Sequence, residues 1–113
     1  MVRAIYRWNV PHGSESEFTR GWEKGTRRIR RICKGSLGSF LVRDISNPRR
    51  FLGIARWRTL EDWAEGQRII AAMDLHLPQG ELIGVFDELA DLTRAPKAMR
   101  ASRTARIVGR AVF

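Results

Sequence analysis

Residues 2 to 9, VRAIYRWN, set Val2, Ala4, Tyr6 and Trp8 against Arg3, Ile5, Arg7 and Asn9. Alternation of this kind, rich in aromatic and β-branched residues, predicts a strand with one strongly apolar face. After the Pro11-His12-Gly13 turn the period changes. Phe18, Trp22, Gly25, Ile29 and Ile32 recur at spacings of four, three, four and three, the apolar stripe of a helix running to about Lys34. Ser14-Glu15-Ser16-Glu17 precedes it with capping-box spacing, in which Ser14 accepts from the Glu17 amide and Glu17 reaches back. Gly35 then ends the helix, because positive φ costs glycine nothing.

Strand character returns in two runs, Ser36 to Asp44 and Phe51 to Arg58, separated by the Ser-Asn-Pro turn around Asn47 and Pro48. Thr59 caps a second helix, Leu60 to Met73, with Glu61 and Asp62 at the positive end of its dipole. Its inner residues are Leu60, Trp63, Ala64, Ile70 and Ala71. The stretch from Asp74 to Gly80 breaks it, and Ile83 to Thr93 reads as a last strand. The order β-α-β-β-α-β predicts a ferredoxin-like α+β fold, an antiparallel sheet with both helices on one face. The other face is then bare. Both residue sets of the third strand, Phe51/Gly53/Ala55/Trp57 and Leu52/Ile54, are largely apolar, so that face would be sticky in a monomer. Two sheets packed face to face, as a homodimer, resolve this.

The 113 residues suffice for one core. Charge divides the chain into a domain, 1–93, and a basic extension, 94–113. The extension carries six cations and no acid, and removing them from the net +9 leaves +3 for the domain. Pro96 marks a linker, whereas Thr104 to Phe113 is too apolar for an idle end. Docking of Ile107, Val108 and Phe113 on a partner subunit or sheet edge is expected. The competing role is an arm for RNA or a membrane surface. On the first helix Arg20, Lys24, Arg27, Arg28, Arg30, Arg31 and Lys34 occupy the far side. Without interleaved aromatics they read as a solvated face, and nucleic acid is not expected as a partner of the domain. No apolar run approaches the roughly 20 residues of a membrane span, and the N-terminus lacks a signal-peptide core. The one cysteine, Cys33, excludes an internal disulfide, fits a reducing cytoplasm, and reads as a small buried hydrophobe.

Two histidines (His12, His76) and one cysteine make no closed metal site. Phosphate-loop, dinucleotide and nucleophile-elbow motifs are missing, so flavin or nicotinamide dependence has no support. What remains is a set of aromatic and turn residues: a glycine-led strand, Gly35 to Leu41; Asn47-Pro48; a strand ending in Trp57; and a helix with Trp63 in its first turn. With Ile5-Tyr6-Arg7-Trp8, the Pro11-Gly13 turn, Phe18 and Trp22, this resembles the antibiotic-biosynthesis monooxygenase (ABM) domain over roughly residues 2 to 93. The resemblance implies a dimeric α+β barrel and oxygenation without metal or organic cofactor. Its substrate is then a small aromatic or polycyclic quinol or anthrone, whose phenolate or enolate itself gives an electron to O₂.

Such chemistry needs an apolar pocket, a proton acceptor and a donor for the resulting anion. The expected walls are Trp22, Phe40, Trp57 and Trp63, with core packing as the competing role of each. The expected polar contacts are Tyr6, Asn9 and Arg56 or Arg58, and the expected base is His76. A second class in this fold, the haem-degrading monooxygenases, uses an Asn, a Trp and a His. His76, nineteen residues after Trp57, matches the last of these. Tyr6 occupies the Asn position with Asn9 several residues late, and the Trp position falls near Gly66 with Trp63 a turn early. A non-catalytic ligand-binding or stress-response role is the third reading. A void able to hold two or more fused rings between sheet and helices separates the enzyme from a merely structural domain.

Overall fold

The computed structural model describes residues 1–75 and 79–94. In chain order they form β1 (Val2–Asn9), α1 (Glu15–Ile32), β2 (Ser36–Arg43), β3 (Arg50–Trp57), α2 (Leu60–Ala71) and β4 (Glu81–Asp87). The strands make one antiparallel sheet in the order β2-β3-β1-β4. This is the ferredoxin-like fold. His76 and the extension from 95 onward, with Ile107, Val108 and Phe113, lie outside the described residues.

Register explains why the helices cover one face. β1 pairs with β3 from Val2–Trp57 to Trp8–Phe51, so Val2, Ala4, Tyr6 and Trp8 share a face with Phe51, Gly53, Ala55 and Trp57. Against that face the core divides into two clusters. Val2, Cys33 and Trp57 pack with Ile29, Trp63, Ile69 and Ile70. Val10, Phe18 and Phe51 pack with Trp8, Trp22 and Leu41. Phe18 meets both Trp8 and Phe51 edge-on, each with ring centroids 5.4 Å apart, a favoured aromatic geometry. Each sheet edge holds one irregularity. In β2, Leu37 and Gly38 face a single residue of β3, and Gly38 carries the bulge at φ 99°. In β4 the shift falls at Ile83, so Ile5 pairs with Gly84 but Tyr6 with Leu82.

Several local expectations need correction. Gly35 is not a left-handed helix stop; among the described residues only Gly13 and Gly38 are glycines with positive φ. A Cβ at Gly35 would lie 2.3 Å from the Asp62 Cβ, so glycine is required there because the start of α2 crosses it. The Ser14 side chain makes no capping bond. Instead the Glu15 carboxylate accepts from the Gly13 amide. Thr59 does cap α2, its Oγ1 accepting from the Asp62 amide at 3.0 Å. The last strand begins two residues earlier than its hydropathy suggests and ends at Asp87, since the acids beyond it turn toward arginines.

The helix-free face carries Ile5, Leu52, Ile54, Phe40, Val42 and Phe86, and the Phe40 and Phe86 side chains are each about half exposed. At one end Glu88 receives Arg3 at 2.7 Å and Arg56 at 2.7 Å, with Asp91 beside both guanidinium groups. Among the described residues no helix is long and apolar enough to cross a membrane.

Candidate functional site

A cavity of about 790 Å³ lies between the helix-facing side of the sheet and the two helices. That volume is typical of small-molecule sites and accommodates a fused-ring ligand. Strand alternation aims Tyr6 and Trp8 into it from β1 and Trp57 from β3. Helical spacing brings Trp22, Thr26 and Ile29 from α1, and Gln67, Ile70 and Ala71 from α2. Ser36 and Ser39 add hydroxyls from the β2 edge. Small residues set its shape. Gly66 lets the Trp57 indole lie against α2, since a Cβ there would sit 2.4 Å from the ring.

Polar chemistry centres on Tyr6. The Trp63 Nε1 donates to its hydroxyl oxygen at 3.0 Å, and the hydroxyl donates to the Gln67 Oε1 at 3.5 Å. Burial pushes the phenol above its ordinary 10.0, against these two hydrogen bonds, which pull it down. Tyr6 is therefore a neutral donor near pH 7. Its bond to Gln67 is long, at the limit of a hydrogen bond, so the proton is readily redirected to a ligand oxygen. Trp63 orients the phenol from behind and does not itself line the cavity.

Of the residues expected from sequence, Tyr6, Trp22 and Trp57 converge on this cavity and Trp63 supports it. Phe40 and Arg56 do not line it: both alternate onto the helix-free face, where Phe40 neighbours Ile54 and Arg56 is bound by Glu88. Asn9 and Arg58 are exposed at strand ends. Trp8, Gln67 and Asp74 line the cavity without having been expected. Gln67 was discoverable, being four residues after Trp63 and hence on the same side of α2. Among the described residues no cluster of three or more His, Cys, Asp or Glu is placed to hold a metal ion.

The fold and cavity define a class: a ferredoxin-like sheet that encloses an aromatic-walled site beneath two helices. Residues 1–66 match the sequence model of the antibiotic biosynthesis monooxygenase family. The chain belongs to that family. Among solved structures it is similar to SnoaB, a cofactor-independent oxygenase from Streptomyces nogalater. The two share 20% identity with a TM-score of 0.62, over 82% of this chain and 97% of SnoaB. It is also similar to a variant of MhuD with two manganese protoporphyrin IX bound per active site. There the identity is 21% and the TM-score 0.64, over 83% of this chain and all of the other. At these identities the likeness establishes the fold alone. No curated protein sequence matches the chain.

Proposed function

We propose that the chain is a monooxygenase that oxidises a small polycyclic aromatic of the quinol or anthrone type in this cavity, using no metal or organic cofactor. The observation that carries the reading is a neutral, half-buried phenol, Tyr6, held by Trp63 inside a cavity walled by Trp8, Trp22 and Trp57. In an anthrone the CH₂ opposite the carbonyl in the central ring loses a proton to a base, and the negative charge is delocalised through the rings to the carbonyl oxygen. Tyr6 donates to that oxygen and holds the enolate in an apolar site, where one hydrogen bond is worth more than in water. The enolate passes one electron to O₂. The carbon radical and superoxide combine, and the protonated peroxide loses water to leave a quinone. The balance is R₂CH₂ + O₂ → R₂C=O + H₂O. His76 is the base in this proposal, supported by the lining roles of Leu75 just before it and Gln79 three residues after it.

The homodimer belongs to the same proposal. Phe40, Val42, Leu52, Ile54 and Phe86 on the helix-free face are the surface that a second sheet would cover, as in a dimeric α+β barrel. A cytoplasmic location accords with a single buried thiol, Cys33. The test is oxygen consumption by purified, colourless protein with anthrone, corrected for the uncatalysed reaction. One O₂ consumed per anthraquinone formed supports the oxygenase. Saturable binding without oxygen uptake replaces it with a ligand-binding role. A Soret band on haem addition, with haem turnover that exceeds anthrone turnover, replaces it with haem degradation.

A further inference from the structure

The Trp22 indole reaches the cavity from α1, and its nitrogen edge lies close to the sheet. A Cβ built on Gly53 of β3 would stand 3.4 Å from the Trp22 Nε1. Gly53 borders the cavity, on the helix-facing side of the sheet, and is the register partner of Tyr6 in the β1–β3 pairing. The indole nitrogen therefore hangs over the sheet side of the cavity, next to the strand that carries the phenol. Glycine keeps that place open, since the same Cβ would also meet the Trp8 ring at 2.8 Å.

This N–H has no acceptor. Among the described residues Trp22 makes no hydrogen bond, whereas the Trp63 N–H is taken by Tyr6 at 3.0 Å. Nor is it sealed in, because no buried side-chain nitrogen or oxygen among them lacks a partner. An indole nitrogen only donates, so an oxygen brought into the cavity is what satisfies it. Packing alone does not account for tryptophan at this position. Phenylalanine would wall the cavity equally well and leave no unpaired donor in a half-buried place.

We infer that Trp22 is a second hydrogen-bond donor of the site, and that it holds the oxygen introduced at the ring carbon opposite the carbonyl. This inference rests on the proposed reaction and adds a catalytic residue to it. Tyr6 is held from α2 by Trp63 and Gln67, whereas Trp22 comes from α1, so a flat ring system between the helices and the sheet meets one donor from each side. An anthrone has one oxygen and engages Tyr6. Once the opposite carbon carries the peroxide, and afterwards the quinone oxygen, the second donor finds its acceptor. Trp22 lends a hydrogen bond and gives up no proton, so the balance of the reaction is unchanged. An interaction gained only as the new C–O bond forms lowers the barrier rather than tightening substrate binding.

The experiment follows the indole N–H signals of ¹⁵N-labelled protein by NMR during titration with anthraquinone and with anthracene, which has the same rings and no oxygen. The chain has four tryptophans, and Trp22→Phe and Trp63→Phe assign two of the signals by their disappearance. With anthraquinone the Trp22 proton is expected to move furthest downfield, and the Trp63 proton, already bonded to Tyr6, to move less. Trp22→Phe should weaken anthraquinone binding about three- to tenfold, the loss of one neutral hydrogen bond, and leave anthracene binding unchanged. Its anthrone turnover should fall about ten- to a hundredfold with little change in KM, because the peroxide acceptor is charged. A Trp22 signal that moves no more with anthraquinone than with anthracene overturns the inference and leaves the cavity reading intact. Equal weakening of both ligands in Trp22→Phe does the same, since it reports a wall and not a donor. If anthraquinone moves no indole signal at all, the cavity reading falls with the inference.

Discussion

Gly66→Ala sets two effects of similar size against each other, and the structure decides between them. In an exposed helix the substitution stabilises by about 0.8–1 kcal/mol through backbone entropy. At Gly66 the new methyl would stand 2.4 Å from the Trp57 Cη2 and 2.7 Å from Cζ3. Ordinary carbon contacts are about 3.5–4 Å, so the indole must retreat by roughly 1 Å. Trp57 is 3% exposed and is held by Val2, Cys33 and Trp63. Overpacking of such a site costs about 1–3 kcal/mol, which exceeds the propensity gain. The expected net loss is about 1 kcal/mol, or a fall in Tm of roughly 4–8 °C for a domain of this size. Because Trp57 also lines the cavity, its displacement should weaken binding of anthraquinone as well. Thermal unfolding by circular dichroism at fixed protein concentration reads the first effect, and fluorescence titration the second. In a Trp57→Leu background the clash is gone and the same alanine should stabilise. A Tm that rises in the wild-type background would refute the contact argument.

The remaining expectations concern the phenol, the acids, the open sheet face and the extension. Tyr6→Phe should lower anthrone turnover about a hundredfold with a much smaller effect on KM, because its donor acts on charge that develops during reaction. Equal turnover would remove Tyr6 from the chemistry. Glu88 is held below its ordinary 4.5 chiefly by hydrogen bonds from Arg56 and Arg3. A depressed carboxylate contributes stability that is present above pH 4.5 and lost as pH falls through its folded value, so acid unfolding should flatten in Glu88→Gln. Ile54→Lys on the helix-free face should convert a particle of about twice 13.0 kDa to one of 13.0 kDa in light scattering. A wild type already monomeric at micromolar concentration would refute the barrel. Deleting residues 94–113 should lower the Tm if the extension docks, whereas unchanged stability with loss of salt-sensitive RNA binding would favour the arm.

Alternation and helical spacing were enough to place all six elements, because burial of one face imposes a period that survives in the residue order. The Thr59 cap was legible for the same reason: its partner, the Asp62 amide, is three residues away. The site was only half legible. Tyr6, Trp22 and Trp57 announce themselves as aromatics on apolar faces, and strand and helix periods send them inward. Phe40 is an aromatic of the same kind, yet pairing register puts it on the opposite face of the sheet, where Arg56 also lies by alternation with Trp57. A shift of one residue reverses every side chain in a strand, and register is fixed by partners far along the chain. Two bulges add to this, because each inverts the alternation midway along a sheet edge. Gly35 and Gly66 show the same limit. Sequence offers conformational freedom as the reason for Gly35 and no reason for Gly66, but the reason for both in the fold is lack of room. Asp62 closes on one and Trp57 on the other, and both contacts exist only once α2 has packed across the sheet.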